Sequence, residues 1–248
     1  MTEVRSGVTR RRFAVALAVT FVAASAGCGG SSKDAGGPRY TVESIRSGFI
    51  KPADIGADTF EIEDEGHGSH VNYTPEGSVP TCPYVQRSDD VEGVVEAAVE
   101  LPGGNPTGRL IVAPSRPGEG APPVVTHGAV VFPSDALAAK AMQRVTAAAG
   151  KCPKTFTILG GPPVILGSYT VNARPLAVEG WKGFSQQLAH TAPADVNAET
   201  YDDLVTVVLQ KANAVVYAGF EQTKDIGERA DSAAKAQATV GEALKRLG

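Results

Sequence analysis

The stretch VVTHGAVVFPSDALAAKAMQRVTAAAGKC, residues 124–152, reads as a strand that turns sharply into a helix. Val124 to Phe132 is rich in β-formers, and Pro133 ends the run because proline cannot donate to a ladder. Ser134 suits a helix N-cap, and Asp135 suits the positive end of the helix dipole. Leu137, Ala141, Val145, Ala148 and Cys152 then recur at intervals of three and four. That spacing predicts one buried face, with Lys140, Gln143 and Arg144 turned elsewhere. Gly150 terminates the helix, and Cys152 leaves it pointed at the core.

Downstream, Gly160, Gly161, Pro162 and Pro163 break the chain. Four strands follow in close succession, at about Ser168 to Ala173, Gly180 to His190, Asp203 to Gln210 and Ala214 to Phe220. Their short separations predict antiparallel neighbours, since a parallel crossover needs a dozen or more residues. Lys211 to Asn213 forms the tightest hairpin. Leu204, Val205, Val207, Val208 and Leu209 are apolar on both faces of one strand, which places it centrally with cover on both sides. A terminal helix from about Ile226 to Leu247 buries Ile226, Ala230, Ala233, Val240, Leu244 and Leu247.

Upstream, Val42, Ile45 and Phe49 have helical spacing, and Pro52 stops the pattern. Thr59 to Tyr84 reads as one strand and a long acidic loop, and Val91 to Val99 as another strand. The run from Leu101 to Gly108 reads as a turn, and Leu110 to Val112 as a short strand. Pro114 to Pro123 holds four prolines and two glycines and is a surface loop. The sum is an α+β domain: a twisted antiparallel sheet packed against helices, including a C-terminal one.

The leader has a different character. Thr9, Arg10, Arg11, Arg12 and Phe13 supply a basic head, Phe13 through Ala26 form a stretch of 14 residues dominated by Ala, Val and Phe, and Gly27 and Cys28 follow. This order resembles a bacterial lipoprotein signal peptide, in which small residues fit a peptidase and the cysteine thiol takes diacylglycerol. A 14-residue helix is only ~21 Å long, against ~30 Å of bilayer hydrocarbon, so it is cut rather than left spanning. The alternative is an ordinary signal peptide cleaved near Ala26 with an idle thiol. The paired arginines also resemble the twin-arginine export motif, beside ordinary Sec export. On this reading residues 1–27 are removed, lipidated Cys28 begins a flexible tether to residue 39, and residues 40–248 fold. The tether spans roughly 18 Å as a coil.

The mature chain carries 19 basic and 26 acidic side chains. Such an acidic surface is a poor binder of nucleic acid or anionic lipid, so the acyl chains make the membrane contact. Beyond Cys28 only Cys82 and Cys152 remain, outside the cytoplasm where oxidation is allowed. They permit one bridge, closing a loop of about 70 residues, with two buried thiols as the alternative.

From Val124 onward, Val130, Val131, Phe132, Pro133 and Ser134, the alanine-rich helix to Cys152, and the Val-rich hairpin around Asn213 resemble the extracellular sensor domain of mycobacterial PknH-type kinases and their stand-alone actinobacterial lipoprotein relatives. The resemblance implies a single α+β domain with an antiparallel sheet, a cleft for a ligand and no catalysis. It also supports Cys152 paired with Cys82, and it assigns no ligand-binding residue. Two departures stand out: Ala148, Ala149, Gly150 and Lys151 fill the place of a family tryptophan, and one disulfide replaces the usual two.

Catalytic motifs are sparse. The chain has no Gly-x-Ser-x-Gly elbow and no His-Glu-x-x-His. One Ser-x-x-Lys, Ser232 with Lys235, lacks its companions and has an amphipathic helix to account for it. His67 and His70 follow carboxylates, but Gly66 and Gly68 favour a solvated loop over a metal site. His127 and His190 read as ordinary strand residues. Neither metal nor cofactor is expected, and no enzyme. The function expected is a lipid-anchored, non-catalytic sensor or ligand-binding domain on the outer face of the cytoplasmic membrane, recognising an envelope ligand or protein. Its recognition surface is placed around the Pro114 to Pro123 loop and the loop before Ser168. The alternative is an envelope lipid carrier with an apolar cavity.

Overall fold

The computed structural model describes residues 40–63, 77–82, 98–116, 120–159, 165–192, 200–225 and 231–248. Cys28, the leader, the tether and the His67/His70 pair lie outside the described residues. The elements run α1 (Val42–Ser47), α2 (Pro52–Ile55), β1 (Thr59–Glu63), β2 (Ser78–Pro80), β3 (Ala98–Glu100), β4 (Asn105–Pro114), β5 (Val124–Val131), α3 (Asp135–Ala149), β6 (Thr155–Leu159), β7 (Ile165–Val178), β8 (Trp181–Ala192), β9 (Thr200–Lys211), β10 (Ala214–Asp225) and α4 (Ser232–Lys245). Among the described residues, eight strands form one sheet in the order β1-β4-β5-β10-β9-β8-β7-β6, while β2 and β3 make a separate pair. Every pairing is antiparallel. The α+β reading therefore holds, with helices on both faces of the sheet.

β9 sits in the interior of that sheet, and its residues 203–209 are all buried. Val205, Val207 and Leu209 join one core with Val125, Trp181, Ala218 and the α4 residues Val240 and Leu244. Val208 joins the other, with Val145, Phe184, Val215 and Tyr217. A strand buried on both faces has no use for alternation, which is why its sequence is continuously apolar. The β7–β8 connection is the dipeptide Glu179-Gly180, both at positive φ (50° and 77°), the conformation that two-residue hairpins favour.

α3 begins where the sequence indicates, with the Leu137 N–H donating to Ser134 Oγ at 3.4 Å. Its buried face is rotated from the expected one, however. Ala138, Ala141, Met142, Val145 and Ala149 point inward, and Leu137 is 45% exposed. Small residues under the helix axis let it lie close to the sheet, and Gly183 below allows the approach. A Cβ there would strike the Val208 carbonyl and lie 3.0 Å from Met142 Cε.

Four other expectations are corrected. Pro52 does not merely stop a helix: it occupies the first turn of α2, where its missing N–H is no loss, and Asp54 Oδ2 accepts the Lys51 N–H at 2.7 Å. The run from Asn105 to Gly108 is not a turn but the start of the ten-residue β4. A bulge between Pro106 and Arg109 absorbs it, with Gly108 at φ 75° and Thr107 Oγ1 accepting the Ala129 N–H at 3.0 Å. The supposed long loop after β1 contains β2. β6, unanticipated, pairs with β7 at the sheet edge.

The predicted bridge is present: Cys82, just after β2, is joined to Cys152, just after α3, with their Cα atoms 5.9 Å apart. It fastens the small β2–β3 pair beside α3, where Val79 and Leu101 enter the second core.

Candidate functional site

β9 and β10 place Asp203 directly opposite Gln222. Phe220, two residues before Gln222, shares its face of the strand. These residues line a cleft of about 440 Å³, together with Ile55 of α2, Gly120 to Pro123 before β5, and Ser232, Lys235, Ala236, Ala238 and Thr239 of α4. That volume is within the range of small-molecule sites, roughly 300–1,000 Å³. Of the Pro114 to Pro123 segment, Gly120 to Pro123 line this cleft and Pro114 belongs to β4. The Gln222 Nε2 donates to the Ala121 carbonyl at 2.8 Å and holds this wall against the sheet. The Ser115 N–H donates to the Asp58 carbonyl at 2.7 Å, fixing the other end of the connection. Residues 160–164, the loop before Ser168, lie outside the described residues.

Polar groups in the cleft differ in how well they are satisfied. Lys235 bonds Asp231 at 2.9 Å across one helical turn, and Lys224 approaches the same carboxylate at 3.8 Å. The hydrogen bond from Lys235 holds the Asp231 carboxyl below its ordinary range. Asp203 is buried, and its Oδ1 accepts from Gln187 Nε2 at 3.2 Å. Asp203 Oδ2 and Ser232 Oγ are buried without a hydrogen-bond partner among the described residues. Each such group costs about 1–3 kcal/mol, more if charged. Ser232 and Lys235 of the Ser-x-x-Lys run both line this cleft, and no hydrogen bond links Ser232 Oγ to Lys235. Among the described residues no cluster of three His, Cys, Asp or Glu can hold a metal ion, and no helix is long and apolar enough to cross a membrane.

A second cavity, about 30 Å³, lies between α1, α4 and the sheet, with Ile45, Phe49, His127, Val207 and Leu244 among its lining. It is too small for anything much larger than water. His127 is the polar group there. Its Nδ1 accepts the Ile50 N–H at 3.3 Å, and its ring tilts against Phe49 with centroids 4.4 Å apart. Nearby, Arg246 grips both carboxylate oxygens of Asp54 at 3.0 and 2.8 Å and donates to the Phe49 carbonyl at 2.7 Å, tying α2 to the end of α4. His127 is thus a buried structural histidine.

Burial pushes the His127 pKa from 6.5 down to about 3, with Asp54 opposing and Arg246 adding to that shift. Below pH 6.5 the unfolded chain takes up a proton that the folded chain refuses. The stability His127 confers is complete above that pH and is lost as pH falls toward 3, at ~1.4 kcal/mol per pH unit. Between pH 7 and 5 the urea unfolding free energy should drop by about 2 kcal/mol from this group. In His127→Gln, which keeps an acceptor for Ile50, the drop should shrink accordingly; an unchanged pH profile would remove His127 as the cause.

The fold and cleft define an α+β domain with a small-molecule-sized recess between sheet, terminal helix and a proline-rich connection. No family model matches the chain, and no curated protein matches it. Among solved structures it is similar to the extracellular domain of PknH from Mycobacterium tuberculosis, at 11% identity and a TM-score of 0.47, over 85% of this chain and 100% of that one.

The sequence located one wall of the cleft and missed its floor. Asp203 and Gln222 lie in β-rich runs where a polar residue looks like a solvent-facing position. The available signal was Asp203 itself, an acid at the start of an otherwise apolar central strand.

Proposed function

We propose that this protein is an extracytoplasmic lipoprotein, anchored through Cys28, that binds a ligand in the cleft between β9, β10 and α4 without chemically altering it. The observation that carries the binding reading is the cleft, whose buried Asp203 Oδ2 and Ser232 Oγ have no hydrogen-bond partner among the described residues. Ile55, Pro122, Pro123 and Phe220 supply apolar contact, and Gln222, Lys235 and Thr239 supply hydrogen bonding. This mixture suits a ligand with a polar part better than it suits an acyl chain alone. A non-catalytic role agrees with the unlinked Ser232 and Lys235.

Native mass spectrometry of the domain recovered from cell envelope should show a bound small molecule that is absent from Ala238→Phe, a change on an exposed position at the cleft's wall. Turnover of an ester, peptide or glycan substrate, lost on substitution of Ser232, would replace the binding reading with an enzymatic one. For the anchor, Cys28→Ala should move the protein from the membrane fraction to the soluble fraction and abolish labelling by palmitate. Labelling that persists in the variant would place the anchor elsewhere.

A further inference from the structure

Asp203 is 1% exposed, and its Oδ1 accepts a hydrogen bond from the uncharged Gln187. Lys235, a cation in the cleft lining, bonds Asp231 at 2.9 Å. Asp203 Oδ2 has no hydrogen-bond partner among the described residues, so the cleft's inner surface offers an acceptor with capacity to spare. Ser232, in the lining of the same cleft, has a hydroxyl that can accept or donate. Ile55, Pro122 and Phe220 provide an apolar surface in the same recess.

We propose that the cleft selects ligands joining an apolar body to a hydrogen-bond-donating head, an ammonium or a hydroxyl, and that Asp203 is the residue that sets this preference. The inference rests on the reading of the cleft as the binding site. A donor entering beside Asp203 satisfies an oxygen that otherwise stays unpaired, and an ammonium also balances its charge. A carboxylate or phosphate head meets like charge in a site shielded from water, where repulsion is strong. Chain length and ring structure of the body are left to the apolar wall, which discriminates weakly.

The test uses three six-carbon probes that differ only in the head: hexylammonium, 1-hexanol and hexanoate. Binding is followed by the Ile55 methyl resonance. Hexylammonium should bind about tenfold or more tightly than hexanoate, with hexanol between them. In Asp203→Asn, which keeps the acceptor for Gln187, the three should fall within about threefold of one another while the melting temperature stays near wild type. Ala238→Phe should block all three without altering Asp203. Hexanoate binding as well as hexylammonium, or an Asp203→Asn variant that keeps the wild-type order, overturns the assignment of Asp203 while leaving the cleft a binding site. Hexylammonium binding undiminished in Ala238→Phe overturns it too, because the probe is then bound elsewhere. If none of the probes moves the Ile55 methyl, the cleft reading falls with it.

Discussion

Asn213→Ala is expected to lower the unfolding free energy by about 3 kcal/mol, a large share of a typical ~5–15 kcal/mol. Asn213 lies in the two-residue turn between β9 and β10 and is buried. Its Oδ1 accepts the Tyr40 N–H at 2.8 Å, and its Nδ2 donates to the carbonyls of Tyr40 and Phe132 at 3.0 and 2.9 Å. One amide thereby holds the start of the described chain to the end of β5. Alanine would remove three bonds and strand three backbone groups away from water. Tyr40 would also lose the restraint that stacks it on the fully buried Trp181, with ring centroids 5.2 Å apart. Urea denaturation measures the total, and hydrogen exchange should show the Tyr40 amide losing protection. Asn213→Asp keeps the acceptor but sets a carboxylate against two carbonyls, so it should be no better than alanine. A loss below about 1 kcal/mol in both variants would show that backbone bonds suffice at this junction.

Removing the Cys82–Cys152 bridge is expected to cost about 4 kcal/mol. The two residues are 70 apart in sequence, and opening a loop of that size restores much freedom to the unfolded chain. For a domain of this size, the melting temperature should fall by about 8–16 °C in Cys82→Ser/Cys152→Ser. Because the effect acts on the unfolded state, far-ultraviolet circular dichroism at room temperature should not change. The urea m-value should rise, as the unlinked unfolded chain exposes more surface. Peptide mapping without reduction should recover the linked pair. Two thiols alkylated in the denatured, unreduced protein would refute the bridge.

Residues whose roles are set by near neighbours were legible in the sequence. Ser134 caps a helix because its hydroxyl reaches a backbone N–H three residues on, whatever surrounds it. Two strands separated by Ala212 and Asn213 pair as a hairpin because the chain has nowhere else to go. Continuous apolar character placed β9 in the middle of a sheet, since a strand with water on one face alternates. The two cysteines beyond Cys28 left a single possible bridge.

Other features depended on partners far away along the chain. The alanine-rich α3 offers several faces of nearly equal hydropathy, so its rotation follows from where Gly183 permits close contact, and Leu137 is left outside. The β4 bulge is held by Thr107 reaching Ala129, a bond that no local pattern announces. The cleft joins Ile55, Gly120 to Pro123, Asp203, Phe220, Gln222 and α4, which are spread over most of the folded chain. Pattern along a chain reports which side of an element avoids water. By itself it indicated most of the helices and strands, their antiparallel pairing and one possible covalent link; only tertiary packing drew Asn105 to Gly108 into a bulged strand, added β6 at the sheet edge, and left a recess lined by Asp203, because those outcomes depend on shape matched across distant segments.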